Sequence, residues 1–220
     1  MKKEKPKLQV ALDVLTIEEA LRIAKQVAEY ADIIELGTPL LQEESTKEVL
    51  NLMRTSFPKK ILLADLKAMD VGKIEASMAF EAGADIMTVC AGASDSTIKA
   101  ALEYAKKHHK KIMVDLIGVK DKVSRAKEVE KLKPHYICVH TGIDEQHLGV
   151  KPFEDLVKIS KIIETQIAVA GGINLNNMNN ILKYKPSIII VGSGITSTKN
   201  PALTAKKLKE KIEKVRKTRK

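Results

Sequence analysis

At 220 residues the chain has room for one large domain or two small ones. Its 44% hydrophobic and 30% charged content marks a globular protein, and 3% aromatics with no Trp offers few of the stacking platforms a single-strand nucleic-acid binder needs, so a basic nucleic-acid-binding barrel stands only as an alternative. The formal charge of +10 gathers at Lys2–Lys7 and Lys206–Lys220, which reads as a solvated helix face with frayed basic ends at about 1–7 and 217–220. No nucleic-acid partner is expected from it, although a positive field would draw in phosphorylated metabolites.

Short apolar runs recur along the chain at Leu8–Val14, Ala31–Leu36, Lys60–Leu66, Ala84–Ala91, Lys111–Ile117, His135–His140, Gln166–Ala170 and Ser187–Val191. Their apolar character without alternation is that of parallel strands buried on both faces. Amphipathic stretches separate them: Thr16–Tyr30, Glu43–Ser56, Gly72–Ala82, Asp95–His108, Asp121–Lys131, Pro152–Glu164, Asn174–Lys183 and Pro201–Arg216. Thr16-Ile17-Glu18-Glu19 is a capping box, and Asn174 and Asn200-Pro201 are further helix starts. Eight strands alternating with eight helices and no linker predict one (β/α)8 TIM barrel over residues 1–220. A doubly wound open sheet, which needs fewer strands, ranks second. No apolar run approaches the roughly 18 residues of a membrane span, and the basic N-terminus runs straight into a strand, unlike a signal peptide. Cys90 and Cys138 lie in apolar strand runs and read as buried free thiols suited to a reducing cytoplasm.

In such barrels the chemistry sits at the C-terminal strand ends. Those ends carry Asp13, Glu35, Asp65 with Lys67, Asp115, His140, and two glycine turns, Gly171-Gly172 and Gly192-Ser193-Gly194. The turns follow the last two strands, where bare N–H groups commonly hold phosphate, although each could be only a tight connection. Glu35 and Asp65 end neighbouring strands, and a pair of carboxylates with water and substrate oxygens suits Mg²⁺. There, a metal could stabilise an enediolate whose charge Lys67 shares. Asp65 and Lys67, two apart on an extended backbone, are expected to project to one side; a bare salt bridge is the alternative. His140 is the natural general base, its unperturbed pKa being near neutrality. The residues point to metal-assisted proton abstraction beside the carbonyl of a small phosphorylated sugar.

Asp65, Lys67 and Asp70 form a D-x-K-x-x-D unit, and through it the chain resembles the orotidine monophosphate decarboxylase suprafamily. Within that group Gln9–Asp13, Ile34–Leu40, Ala64–Asp70, Cys138–Gln146 and Ala170–Ile173 resemble the 3-hexulose-6-phosphate synthase family. The resemblance implies a reversible, Mg²⁺-dependent aldol reaction of formaldehyde with D-ribulose 5-phosphate, giving D-arabino-hex-3-ulose 6-phosphate. It implies Glu35 and Asp65 as metal ligands, Lys67 near the enediolate oxygens, and His140 as the base at C1. Asp13 would orient Lys67 and substrate, and Asp70 would reach a neighbour's site in a homodimer. The related 3-keto-L-gulonate-6-phosphate decarboxylases typically carry Glu where this chain has Asp115, and an Arg shortly after the strand-six His, which is absent here. Orotidine monophosphate decarboxylase itself generally has a further Lys where Leu62-Leu63-Ala64 stands. Ser193 departs from the Arg or Gly often found in the last phosphate loop. A non-catalytic barrel would be expected to lose members of the ring, and none is missing.

Overall fold

A computed structural model describes residues 5–149 and 153–214. Its strands are β1 (Lys7–Leu12), β2 (Ile33–Leu36), β3 (Ile61–Ala68), β4 (Ile86–Cys90), β5 (Lys111–Asp115), β6 (Tyr136–His140), β7 (Ile167–Ala170) and β8 (Ile188–Val191). They pair in parallel in chain order, and β8 closes on β1. The helices that alternate with them are α1 (Ile17–Val27), α2 (Thr38–Glu43), α3 (Thr46–Ser56), α4 (Gly72–Glu81), α5 (Asp95–Lys107) and α6 (Lys122–Glu130). They continue with α7 (Ile143–His147), α8 (Phe153–Ile159), α9 (Met178–Leu182), α10 (Ser193–Thr196) and α11 (Pro201–Lys214).

The alternation of the pleat makes two cores out of each apolar run. Leu8, Val10 and Leu12 face the helices, while Gln9 and Ala11 face the barrel axis; Ile34 and Leu36 face out while Ile33 and Glu35 face in. The inner core is filled at the N-terminal end by bulky Ile33, Leu63, Ile86, Met113, Tyr136 and Ile188. Toward the C-terminal end it narrows to Ala11, Ala168 and Ala170. Small side chains there leave room for the polar ones that follow at the same parity.

Helix starts follow the capping chemistry. Thr16 accepts from the Glu19 N–H, Asp121 from that of Ser124 at 2.9 Å, and Asn200 from that of Leu203 at 2.9 Å. Several predicted boundaries are corrected. The stretch Glu43–Ser56 starts earlier and splits into α2 and α3, because Ser45 caps α3 afresh. A short α7 precedes the predicted sixth helix; its N-cap is Gly142, whose N–H donates to the Glu145 carboxylate at 3.0 Å. At Asn174 the helix is delayed: Asn174 and Asn177 side chains bond the backbone locally, and α9 begins only at Met178. Strand β1 already includes Lys7, within the stretch expected to fray; residues 1–4 and 215–220 lie outside the described residues.

Candidate active site

The ring of strand-end residues predicted from the sequence is brought together at the C-terminal mouth of the barrel. Asp65 is 4% exposed and its carboxylate accepts from three side-chain donors. The Thr88 hydroxyl donates to its Oδ1 at 2.7 Å, and the Lys67 ammonium bonds its Oδ2. The Thr38 hydroxyl is shared between Asp65 Oδ2 at 3.0 Å and the Asp65 carbonyl at 2.7 Å, and it accepts from Lys67 Nζ at 3.2 Å.

The expectation that Asp65 and Lys67 share a side by simple alternation is corrected. Between Ala64 and Ala68 strand β3 takes four steps where β4 takes two, from Met87 to Val89. Lys67 sits in this bulge with φ of 48°, the left-handed region. Its N–H is held by Thr88 Oγ1 at 2.9 Å, and its carbonyl accepts from the Cys90 thiol at 3.3 Å. The ammonium therefore returns to Asp65 because the backbone folds over it. Burial works against the Lys67 charge, but Asp65 and Asp115 outweigh it and raise its pKa. A second strained residue follows: β-branched Val71 has φ of 43°.

Glu35 is buried beside other acids. Burial, and then the charges of Asp65 and Asp13, push its pKa well above the carboxylate range. The side-chain donor that reaches it is neutral, Gln9 Nε2 at 2.6 Å, and Gln9 Oε1 has no partner among the described residues. Asp13 stands at the open mouth, its pKa raised by partial desolvation and by Asp65. Glycines make space for it: a Cβ on Gly37 would meet Asp13 Oδ1 at 2.2 Å, and one on Gly192 would meet Oδ2 at 3.0 Å.

Across the mouth, His140 Nδ1 and Asp115 Oδ2 are 2.8 Å apart, and Asp115 Oδ1 accepts from the Ile117 N–H at 3.0 Å. Burial disfavours the His140 imidazolium, but the charge and hydrogen bond of Asp115 prevail, so its pKa is raised. Asp115 is fully buried; that cost is outweighed by His140 and then Lys67, and its pKa is lowered. Buried Lys122 anchors the end of β6 by donating to the His140 carbonyl at 2.8 Å. Cys138 faces inward between these groups, and donor atoms of Asp115, Cys138 and His140 all lie within 4.8 Å of one another.

The two glycine turns close the ring. Gly171 (φ 108°) and Gly172 (φ 61°) take up left-handed backbone, and a Cβ on Gly171 would meet the Thr141 carbonyl at 2.4 Å. The first turn of α10 leaves the N–H groups of Ser193 and Gly194 without i−4 partners. Asp70 is not brought into this chain's ring. It is exposed, and its Oδ1 accepts from the Val71 N–H at 2.7 Å. A cavity of about 790 Å³ opens beside the ring, between the loops after β4 and β5, and is lined by Met69, Cys90, Asp121 and Arg125 among others.

The model of the Orotidine 5'-phosphate decarboxylase / HUMPS family matches residues 6–208. The chain belongs to this family. Among HUMPS-family and related proteins, it is 47% identical over 206 residues to a 3-hexulose-6-phosphate synthase of Bacillus subtilis (strain 168), covering 93% of this chain and 98% of that one. A solved 3-hexulose-6-phosphate synthase from Salmonella typhimurium superposes with a TM-score of 0.92 at 38% identity, covering 94% of this chain and 99% of that one. A 3-keto-L-gulonate-6-phosphate decarboxylase from Vibrio cholerae superposes with a TM-score of 0.85, but at 29% identity over 96% of this chain and 99% of that one.

Sequence reasoning missed Thr88, Thr38 and Gln9, which hold Asp65, Lys67 and Glu35 in place. A signal was present for two of them. Gln9 and Thr88 are polar residues inside apolar strand runs, and Gln9 stands at the parity of the acid that ends its strand.

Proposed function

We propose that this chain catalyses the reversible aldol addition of D-ribulose 5-phosphate to formaldehyde, giving D-arabino-hex-3-ulose 6-phosphate. The observation that carries this is an imidazole backed by a buried carboxylate, His140 on Asp115, across the barrel mouth from an ammonium held on Asp65. The higher identity to synthases than to the keto-gulonate decarboxylase, 47% and 38% against 29%, supports aldol addition over decarboxylation.

In this reading Asp115 occupies Nδ1 and leaves His140 Nε2 to take the proton from C1 of the sugar. The bonding electrons move onto the C2 carbonyl oxygen, giving an enediolate whose charge Lys67 shares. C1 then attacks the formaldehyde carbon, and the former formaldehyde oxygen takes a proton from the His140 imidazolium. Asp13 orients Lys67 and the sugar hydroxyls. The N–H groups of Gly171, Gly172, Gly192, Ser193 and Gly194 hold the phosphate.

The donor set fits a divalent cation. Glu35 is a buried carboxylate crowded by two more, with a neutral hydrogen-bond donor, and hard oxygen ligands are those Mg²⁺ takes. Glu35 and Asp65 would hold Mg²⁺, which supplies positive charge to substrate oxygens as they become anionic.

Two copies form the working unit in this reading, with Asp70 completing the partner's site. Met69, Val71, Ile74 and Met78 are each at least half exposed and form an apolar surface on α4 and the loop before it, beside Asp70. The whole barrel acts as one domain. The test is to supply the pure protein with ribulose 5-phosphate, formaldehyde and Mg²⁺ and follow formaldehyde. Loss of formaldehyde matched by a hexulose phosphate is expected; no loss under any divalent metal would overturn the proposal.

A further inference from the structure

Cys138 has no part in the aldol reaction, yet it sits inside the site with two other metal-donor groups. Cys138 and His140 are alternate residues of β6 and share its inner face, and Asp115 is the register partner of Cys138 on β5. We propose that Asp115, Cys138 and His140 form a second metal site, one that takes Zn²⁺ or another thiophilic divalent ion and, when filled, switches the enzyme off.

The donor chemistry separates this site from the acids Glu35 and Asp65. A thiolate and an imidazole suit zinc, whereas Mg²⁺ prefers oxygen and dehydrates reluctantly. The spacing also suits zinc. Bonds of about 2.0–2.3 Å place ligand atoms about 3.3–3.8 Å apart on a tetrahedron. The three donor atoms here already lie within 4.8 Å of one another, so side-chain rotation closes the difference. The surrounding shell is fixed in the way metal ligands require. Ile117 N–H holds Asp115 Oδ1 at 3.0 Å, and Lys122 holds the His140 carbonyl at 2.8 Å. Cys138 and Asp115 form the buried wall, and the His140 side chain, 20% exposed, opens the path from the mouth.

The 2.8 Å contact between Asp115 and His140 would give way to two bonds to one ion. Burial and the charge of Asp115 keep the Cys138 thiol protonated without metal, so uptake of the ion releases that proton to solvent. Water entering from the mouth would complete a tetrahedral set. The inhibition rests on the proposed role of His140 as base: with the ion on Nδ1 the imidazole's own proton moves to Nε2, which then cannot accept the C1 proton; the site itself does not rest on that role.

The experiment uses Co²⁺ as a spectroscopic stand-in for Zn²⁺ on the full-length, metal-free protein. One equivalent should give a near-ultraviolet thiolate-to-cobalt charge-transfer band. The band should vanish in Cys138→Ala and persist in Cys90→Ala and in Glu35→Gln. No band in the wild type, or a band that survives Cys138→Ala, overturns the site. With Mg²⁺ saturating, Zn²⁺ should lower hexulose-phosphate formation more than tenfold, and the Zn²⁺ concentration needed should rise at least tenfold in Cys138→Ala, each protein compared with its own zinc-free rate. Full relief by excess Mg²⁺ would place the inhibitory ion on Glu35 and Asp65 and overturn the switch. Should Cys138→Ala not fold, X-ray absorption of zinc-loaded wild type decides: one sulfur neighbour at about 2.3 Å is expected, and a shell of nitrogen and oxygen alone refutes the site. The cobalt band needs no turnover, so a band without aldol activity sinks the proposed reaction and leaves the site standing.

Discussion

Replacing Thr88 by Val tests whether the motif lysine is held by strand β4. Valine keeps the shape and removes two interactions of one hydroxyl. The bond to Asp65 Oδ1, 2.7 Å to a charged acceptor, is worth about 1.5–3 kcal/mol. Loss of the acceptor for the Lys67 N–H leaves a donor unpaired at a left-handed residue, costing about 1–3 kcal/mol more. The two overlap because both act on the same bulge, so a net loss of about 2–4 kcal/mol is expected, or roughly 5–15 °C in Tm for a chain of this size. Freed from Thr88, the bulge should relax toward ordinary strand geometry and carry Lys67 away from Asp65. A shift of about 1 Å in a positioned group costs on the order of 10²-fold in rate. The assay is kcat and KM for formaldehyde fixation together with a thermal melt. Thr88→Ser keeps the hydroxyl, loses about 1 kcal/mol of methyl burial, and should stay within a few-fold of wild type in kcat. A Val variant within threefold of wild-type kcat and with unchanged Tm would refute the reasoning.

Chelation with EDTA should abolish fixation and Mg²⁺ should restore it; full activity in a metal-free preparation would remove Glu35 and Asp65 as ligands. With formaldehyde absent, His140→Ala should lose exchange of the C1 proton with deuterated water by about 10²–10⁴-fold, and a few-fold loss would move the base elsewhere. Because the base must be neutral, kcat/KM should climb as pH rises through the His140 pKa, which Asp115 raises. Asp115→Asn removes that charge, so the rising limb should move to lower pH, and a limb that stays or moves up contradicts the assignment. Asp70→Ala and Lys67→Ala should each be inactive, yet recover about a quarter of the sites when co-expressed, since half of randomly paired two-fold dimers are mixed and each has one intact site. No recovery despite proven subunit exchange returns Asp70 to its own chain.

The barrel and most of its ring were legible in the sequence because each depends on local pattern. Apolar runs buried on two faces, capped amphipathic stretches between them and the closing glycine turns define the (β/α)8 order. Strand parity puts Asp13, Glu35, Asp65, Asp115 and His140 at one mouth once that order is known. The open sheet that local pattern left as an alternative was excluded only by long-range pairing, that of β8 on β1. What the tertiary structure alone decided depends on contacts between distant residues. The bulge at Lys67 arises where β3 meets β4 out of step, and Thr88, 21 residues on, supplies the acceptor that the turned backbone needs. Glu35 differs from an ordinary acid because Gln9, Asp13 and Asp65 converge on it from other strands. Cys138 reads as one more apolar residue in its run, and only pairing with β5 sets its sulfur beside Asp115 and His140. Asp70, expected from the motif to reach a neighbour's site and not its own ring, is exposed beside the left-handed turn at Val71. Periodicity fixes which face of its own element a residue occupies; which strangers it meets there is set by register and closure, and those exist only in the assembled barrel.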